Sequence, residues 1–294
     1  MRADSTPERL LRHIKSLAEP RNPLKHSLAW ETTQDYLTDQ LREMGREVLY
    51  QDFSTELISE NGDQVIGRNV LGEAKPEAHL ILVAHYDTVD DSPGADDNLS
   101  AVAVALEVAR QCPNVHAFFP DLEEFGLQGS RHFVSSGKWS KLSALVLESV
   151  GYWTEVAGSQ SFPDVFPAAF PDHFRWLEAR EFKGDFWALL HLSSDKLLAG
   201  SLAHELGSST LSLEVPQALL LRDEGQALRD FGRSDHLAFW ERGRPCLMLT
   251  DSANFRNPNY HLPSDTPETL NLAEMTRLTE SLVQWCSSLP LAVG

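Results

Sequence analysis

Two adjacent carboxylates, Glu123 and Glu124, follow a short apolar run in residues 118–130. Neighbouring side chains at a strand's end point to opposite faces, so such a pair can divide two tasks, one carboxylate binding a cation and the other moving a proton. Glu-Glu is also common on solvated surfaces, so its chemistry depends on what joins it. Other short apolar runs lead into His85 and Asp87 and into Glu148, and His261 lies on a later loop. Imidazoles with carboxylates and no nearby thiolate suit zinc or a similar divalent ion in an open catalytic site rather than a closed structural one.

These residues need a scaffold that gathers positions far apart in sequence. Residues 7–19 and 28–46 carry helical spacing, the second beginning after Ser27 as a candidate N-cap. Strands are expected at 48–53, 68–72, 79–84, 117–122, 144–147, 187–191 and 247–250, and further helices at 101–110, 129–136, 195–206 and 272–289. This alternation is α/β, and in an open α/β sheet ligands bind beyond the carboxyl ends of the strands, where His85, Glu123, Glu124 and Glu148 would meet. Residues 151–185 hold Pro163, Pro167 and Pro171 among Phe162, Phe166 and Phe170, too long a stretch for an ordinary connection. They would either wall a pocket or pack their own aromatics on the surface.

Composition narrows the classes. With 294 residues, 42% of them hydrophobic, and no apolar run near the ~20 residues of a membrane span, one large soluble domain over 1–294 is expected, with no membrane partner. A formal charge of −18 without a basic cluster argues against nucleic acid. Cys112, Cys246 and Cys286 are too widely spaced for a disulfide framework or a Cys-x-x-Cys site, and the first residues lack an apolar export segment, so a cytoplasmic location is expected. The oligomeric state is not readable from these features.

Four motifs occur in a fixed order: His85-Tyr86-Asp87; Gly94-Ala95-Asp96-Asp97-Asn98; Glu123-Glu124-Phe125-Gly126 with Gly129-Ser130; and Tyr260-His261 with Ser264-Asp265-Thr266-Pro267. Together they resemble the co-catalytic zinc peptidase family of bacterial leucyl aminopeptidases and glutamate carboxypeptidases, with glutaminyl cyclases as distant relatives, from about Glu31 onward. The resemblance implies a three-layer domain with a mixed, mostly parallel sheet between helices. It implies two zinc ions, one held by His85 and Glu148, the other by Glu124 and His261, with Asp96 bridging them. Asp97 is then left to cap the following helix. Asp87 would accept the other N–H of His85, and Glu123 would shuttle the proton of the attacking water.

One position departs from the family, which more often has Asp where this chain has Glu148; the context Leu147-Glu148-Ser149-Val150-Gly151-Tyr152 and Phe255-Arg256-Asn257-Pro258 resembles a bacterial branch that shares it. Ser234-Asp235-His236 also recurs in the family, where the Asp organises the site; three consecutive residues cannot form a Ser-His-Asp relay. Asp265 would orient His261 or cap the turn before Pro267. The implied activity is a metal-dependent exopeptidase, an aminopeptidase acting on a peptide or small aminoacyl substrate. Its competitors are a single-zinc glutaminyl-peptide cyclotransferase and a non-catalytic binding protein on the same scaffold.

Overall fold

A computed structural model describes residues 4–74, 78, 80–216 and 230–289. Eight strands, β1 (Val48–Ile58), β2 (Gln64–Gly72), β3 (Leu80–Val83), β4 (Val115–Phe119), β5 (Ser143–Glu148), β6 (Trp187–His191), β7 (Thr210–Glu214) and β8 (Cys246–Thr250), form one sheet in the order β1-β2-β4-β3-β5-β8-β6-β7. Four pairings are parallel, β3 with β4 and β5, β5 with β8, and β6 with β7, and the other three are antiparallel.

The central strands are apolar throughout because both faces of the sheet are covered. Their period of two divides them between two cores. Leu80 and Leu82 of β3, Leu145 and Leu147 of β5, and Leu247 and Leu249 of β8 join one core. It is completed by α1 (Thr6–Leu17), α2 (Ser27–Glu43), α3 (Ala101–Gln111), α7 (Lys196–Leu206) and α9 (Leu272–Ser288). The alternate residues Ile81, Val83, Ala144, Val146 and Met248 face the other core. There they meet α4 (Gln128–Ser135), α5 (Phe166–Ala169), α6 (Pro171–Ala179) and α8 (His236–Glu241). The structure is therefore the expected helix–sheet–helix sandwich.

In α3 every residue from Ala101 to Ala109 is buried, and nearly all are Ala, Val or Leu. The exception, Glu107, is held by Arg9 Nε at 2.6 Å and by His13 Nε2 at 3.1 Å, which pairs a buried charge that would otherwise be costly. Among the described residues no helix is long and apolar enough to cross a membrane.

Several elements differ from the sequence reading. β2 starts four residues before the expected 68, paired with a long β1, and β7 and α8 were not expected. The added start of β2 and the whole of β7 are half-exposed, and α8, though apolar, is only six residues long, too few to set a period. His79, first residue of the expected third strand, lies outside the described residues. Within 151–185 Pro167 and Pro171 sit in the first turns of α5 and α6, where a missing N–H costs nothing. Phe162 packs on Phe166, Phe174 and Phe182, so this segment stacks its own aromatics, and Phe162 and Phe166 also line a cavity.

β3 lies between β4 and β5, and the chain leaves it toward one neighbour and returns on the other side, which makes its carboxyl end a switch point where a crevice opens. The exit of β4 into that crevice runs close against Gly129, whose N–H donates to Asp121 O (2.9 Å) and whose carbonyl accepts from Asn69 Nδ2 (2.9 Å). A Cβ here would collide with the Asp121 backbone and with Asn69 Oδ1. Gly129→Ala is expected to cost about 1–3 kcal/mol. Denaturant unfolding measures it, and an unchanged midpoint would contradict this close packing.

Candidate metal centre

Beyond β3 the parallel ladder continues for a few residues: Ala84 N–H donates to Phe118 O and Tyr86 N–H to Pro120 O. This carries His85 and Asp87 to the rim of the sheet, both fully buried. Asp87 Oδ1 accepts from the backbone N–H of Glu123 (3.0 Å) and Oδ2 from that of Glu124 (3.2 Å), while Oδ1 stands 3.5 Å from His85 Nδ1. Asp87 thus joins the end of β3 to the exit of β4. Glu123 and Glu124 lie beyond β4 in a tight turn, in which the N–H groups of Gly126 and Leu127 both donate to Glu123 O. It is this turn, and not strand alternation, that separates the two side chains.

The Gly94–Ser100 segment brings the next carboxylate. Asp265 accepts the N–H groups of Asp96 (3.0 Å) and Asp97 (3.1 Å), and Asn98 bridges to β5 by donating to Leu147 O and accepting from Ser149 N–H. Held this way, Asp97 places Oδ1 3.3 Å from His85 Nε2 and Oδ2 3.0 Å from His261 Nε2. Asp96 points elsewhere, accepting from Gly151 N–H (2.8 Å) and Asn257 Nδ2 (2.7 Å). The expectation for this doublet is corrected: Asp97 stands between the two histidines, and Asp96 braces the loop after β5. The non-helical backbone at Asp97 (φ −106°, ψ 88°) and Asn98 decides which carboxylate turns inward, and residue type cannot reveal that. Asp265 likewise serves the Asp96–Asp97 backbone.

Glu148, the last residue of β5, approaches His85 Nε2 at 3.4 Å and accepts from Ser234 Oγ at 2.6 Å. Glu124 Oε1 lies 3.2 Å from His261 Nε2, whose ring stacks on Tyr260 with centroids 3.8 Å apart. Among the described residues two groups of three result, His85/Asp97/Glu148 and Asp97/Glu124/His261, and in each the candidate donor atoms lie within 4.8 Å of one another. Glu123 belongs to neither group, and its Oε2 is 4.0 Å from His85 Nε2.

Both ring nitrogens of His85, Asp97 Oδ1, Glu124 Oε1 and His261 Nε2 are buried without a hydrogen-bond partner among the described residues. Buried polar atoms are rarely left so, and two sets of imidazole and carboxylate donors sharing one carboxylate fit divalent ions. Asp235 is also buried with both oxygens unpartnered, whereas His236 turns away to bond Phe231 O at 2.8 Å. Ser234, Asp235 and His236 therefore form no relay among the described residues.

The charges of these groups act strongly on one another. Burial pushes the pKa of His85 down, but the Glu123 and Glu148 carboxylates and the contacts with Asp87 and Asp97 reverse this and hold it well above the ordinary value. His261 is likewise opposed by burial yet raised to about 10 by Asp97 and Glu124. Burial, then the neighbouring Asp97 charge, pushes Glu124 up to about 7. Burial also raises Glu123 well above the ordinary carboxylate range, with the Glu148 and Glu124 charges adding to it and His85 opposing.

Glu123, Glu124, Glu148 and His261 line one side of a cavity of about 420 Å³ whose other walls include Phe162, Phe166, Phe186, Leu190, Leu213 and Met248. Such a volume and apolar lining suit a small organic ligand with a few fixed polar contacts.

Asp97→Asn is expected to weaken metal binding by at least the 10–100-fold typical of a lost outer-shell partner, while Asp96→Asn stays closer to wild type. Metal analysis after dialysis distinguishes them, and the reverse order would refute the placement of Asp97. The pH dependence follows from the raised pKa values. A group raised on folding stabilises fully below its unfolded pKa and loses this as pH rises through the folded value. The Glu124 contribution in metal-free protein therefore fades between 4.5 and about 7, and that of His261 between 6.5 and about 10. Melting temperature without metal should fall across this range, and added zinc should flatten the decline because bound metal displaces the protons. A metal-free profile that rises instead would refute the assignment.

Residues 65–162 and 203–286 match the model of Peptidase family M28. The chain is 30% identical over 242 residues to YfbL of Escherichia coli strain K12, described as uncharacterized, with 74% of this chain and 69% of that protein covered. It is 29% identical over 223 residues to the aminopeptidase YwaD of Bacillus subtilis strain 168, covering 68% of this chain and 40% of the relative. The fold is similar to the Legionella pneumophila LapA aminopeptidase (TM-score 0.68, 19% identity, 98% of this chain and 72% of that one). It is also similar to a Porphyromonas gingivalis glutaminyl cyclase (TM-score 0.63, 18% identity, 97% and 98%). With the family model matched over more than half its length, the chain belongs to Peptidase family M28.

Proposed function

We propose that this chain is a metal-dependent aminopeptidase that hydrolyses N-terminal peptide bonds, with two zinc ions held by His85, Asp97 and Glu148 and by Asp97, Glu124 and His261. The observation that carries this reading is the shared carboxylate: Asp97 faces both histidines, while Glu123 stands beside the two groups and belongs to neither. Bound zinc would supply Lewis acidity, lowering the pKa of water and polarising the scissile carbonyl.

The chain's own residues do the rest. Glu123 accepts the proton of the attacking water at its carboxylate and returns it to the leaving amine. Its place beside the two groups, belonging to neither, leaves this carboxylate free for both halves of that transfer. Asp87 holds the backbone of Glu123 and Glu124 beside His85, which keeps proton carrier and metal donor in fixed relation. The apolar cavity wall takes the side chain of the substrate, and the surrounding carboxylates favour a free amine.

A panel of aminoacyl anilides and dipeptides, offered to metal-free and zinc-reconstituted protein, tests reaction and cofactor together. Release of the N-terminal residue only with zinc is expected. Ammonia release from an N-terminal Gln peptide without chain cleavage would instead identify a cyclotransferase, and failure to bind zinc would point to a binding protein. Glu123→Gln should retain its metal and lose about 10²–10⁴-fold in kcat. Undiminished turnover in that variant would remove Glu123 as the base.

A further inference from the structure

Arg21 is fully buried in the connection between α1 and α2, outside the two segments that match the family model. Among the described residues no carboxylate oxygen lies within 4.0 Å of it. Its guanidinium donates only to backbone carbonyls: Nε to Tyr86 O (2.8 Å), Nη1 to Leu17 O (2.9 Å), Glu19 O (2.8 Å) and Pro93 O (2.7 Å), and Nη2 to Gly94 O (3.2 Å). Its own N–H donates to Thr88 Oγ1 at 2.8 Å. Tyr86 lies between His85 and Asp87, and Gly94 opens the turn that presents Asp97. One rigid fork therefore grips both chain segments that flank the centre.

We propose that Arg21 is a positioning residue of the metal centre, setting the separation between His85 and the shared carboxylate Asp97 by tying the Tyr86 and Pro93–Gly94 carbonyls to the end of α1. The proposal rests on the metal-dependent reading above. Only arginine offers five donors in one plane, so lysine can supply the charge but not the span. The charge itself sits near Asp265, Asp87, Asp97 and Glu124, which partly offset its burial. Charge alone would oppose a bound cation, so geometry and electrostatics predict opposite effects on metal affinity.

Arg46 supplies a matched control. It also donates to several backbone carbonyls, those of Glu73, Val115, Ala109 and Cys112, but around the amino end of β4, away from the strand ends that carry the centre.

The test is zinc affinity by chelator competition, with thermal unfolding of the metal-free protein, in Arg21→Lys, Arg21→Met and Arg46→Met of the full chain. Both Arg21 variants are expected to bind zinc 10–100-fold more weakly, as for lost outer-shell partners, and Arg46→Met within twofold of wild type even where its melting temperature falls as far. The proposal is overturned by unchanged affinity in the Arg21 variants, or by tighter binding in Arg21→Met, which would mark a role through charge alone. An equal loss in Arg46→Met, or two Arg21 variants that fail to fold even with zinc, would make Arg21 a scaffold residue only. A wild-type chain that binds no zinc is a distinct result that removes the metal reading and this proposal with it.

Discussion

A buried carboxylate that accepts backbone N–H groups from a neighbouring loop is the joint on which this structure depends. Asp87 takes two such groups from Glu123 and Glu124, Asp265 takes those of Asp96 and Asp97, and Asp96 takes that of Gly151. Asp251 does the same for Tyr152 while also holding Ala253 of its own loop, and Asp121 ties the exit of β4 to Arg68 of β2 and accepts from its own neighbour Leu122. The loops beyond a parallel sheet have no ladder to satisfy their amides, and burying them unpaired would be costly. Aspartates answer that need and pin each loop to the next, so that residues scattered over the chain acquire fixed relative positions.

The same device concentrates negative charge. Carboxylates that brace and carboxylates that face the histidines share one low-dielectric region, and burial first, then crowding by neighbouring carboxylates, raises the pKa of Glu124, Asp235 and Asp265 to about 7 each. A site of this kind is poised toward cations, because protons and metal ions compete for the same oxygens and nitrogens. The chain's excess of acidic residues is thus partly architectural, although most acidic side chains among the described residues lie outside the core.

Much of this was legible in the sequence, for identifiable reasons. The central strands announce themselves as short apolar runs because two cores cover them, and His85, Glu123, Glu124 and Glu148 follow those runs closely. Asp97 was not legible as the inward carboxylate: Asp96 and Asp97 are chemically identical, and only the backbone of the turn and the amides held by Asp265 distinguish them. Arg21 left no signal because its partners are carbonyls, which every residue has. Short elements such as α8 and β7 were lost because a handful of residues cannot set a period. The role of Asp87 was half visible: its nearness to His85 follows from spacing, its grip on the Glu123–Glu124 turn from folding alone.

Asp97 has one further implication. Its two oxygens face different histidines, so any pair of cations held by these groups would share this one carboxylate, with Glu148 on one side and Glu124 on the other. The first occupant takes part of the carboxylate's charge and orients it, which changes what the second encounters. The two binding steps are then thermodynamically linked, and by reciprocity each ion alters the affinity of the other by the same factor. Occupancy by two ions would then be a property of the pair, with the shared side chain contributing to their free energy of interaction.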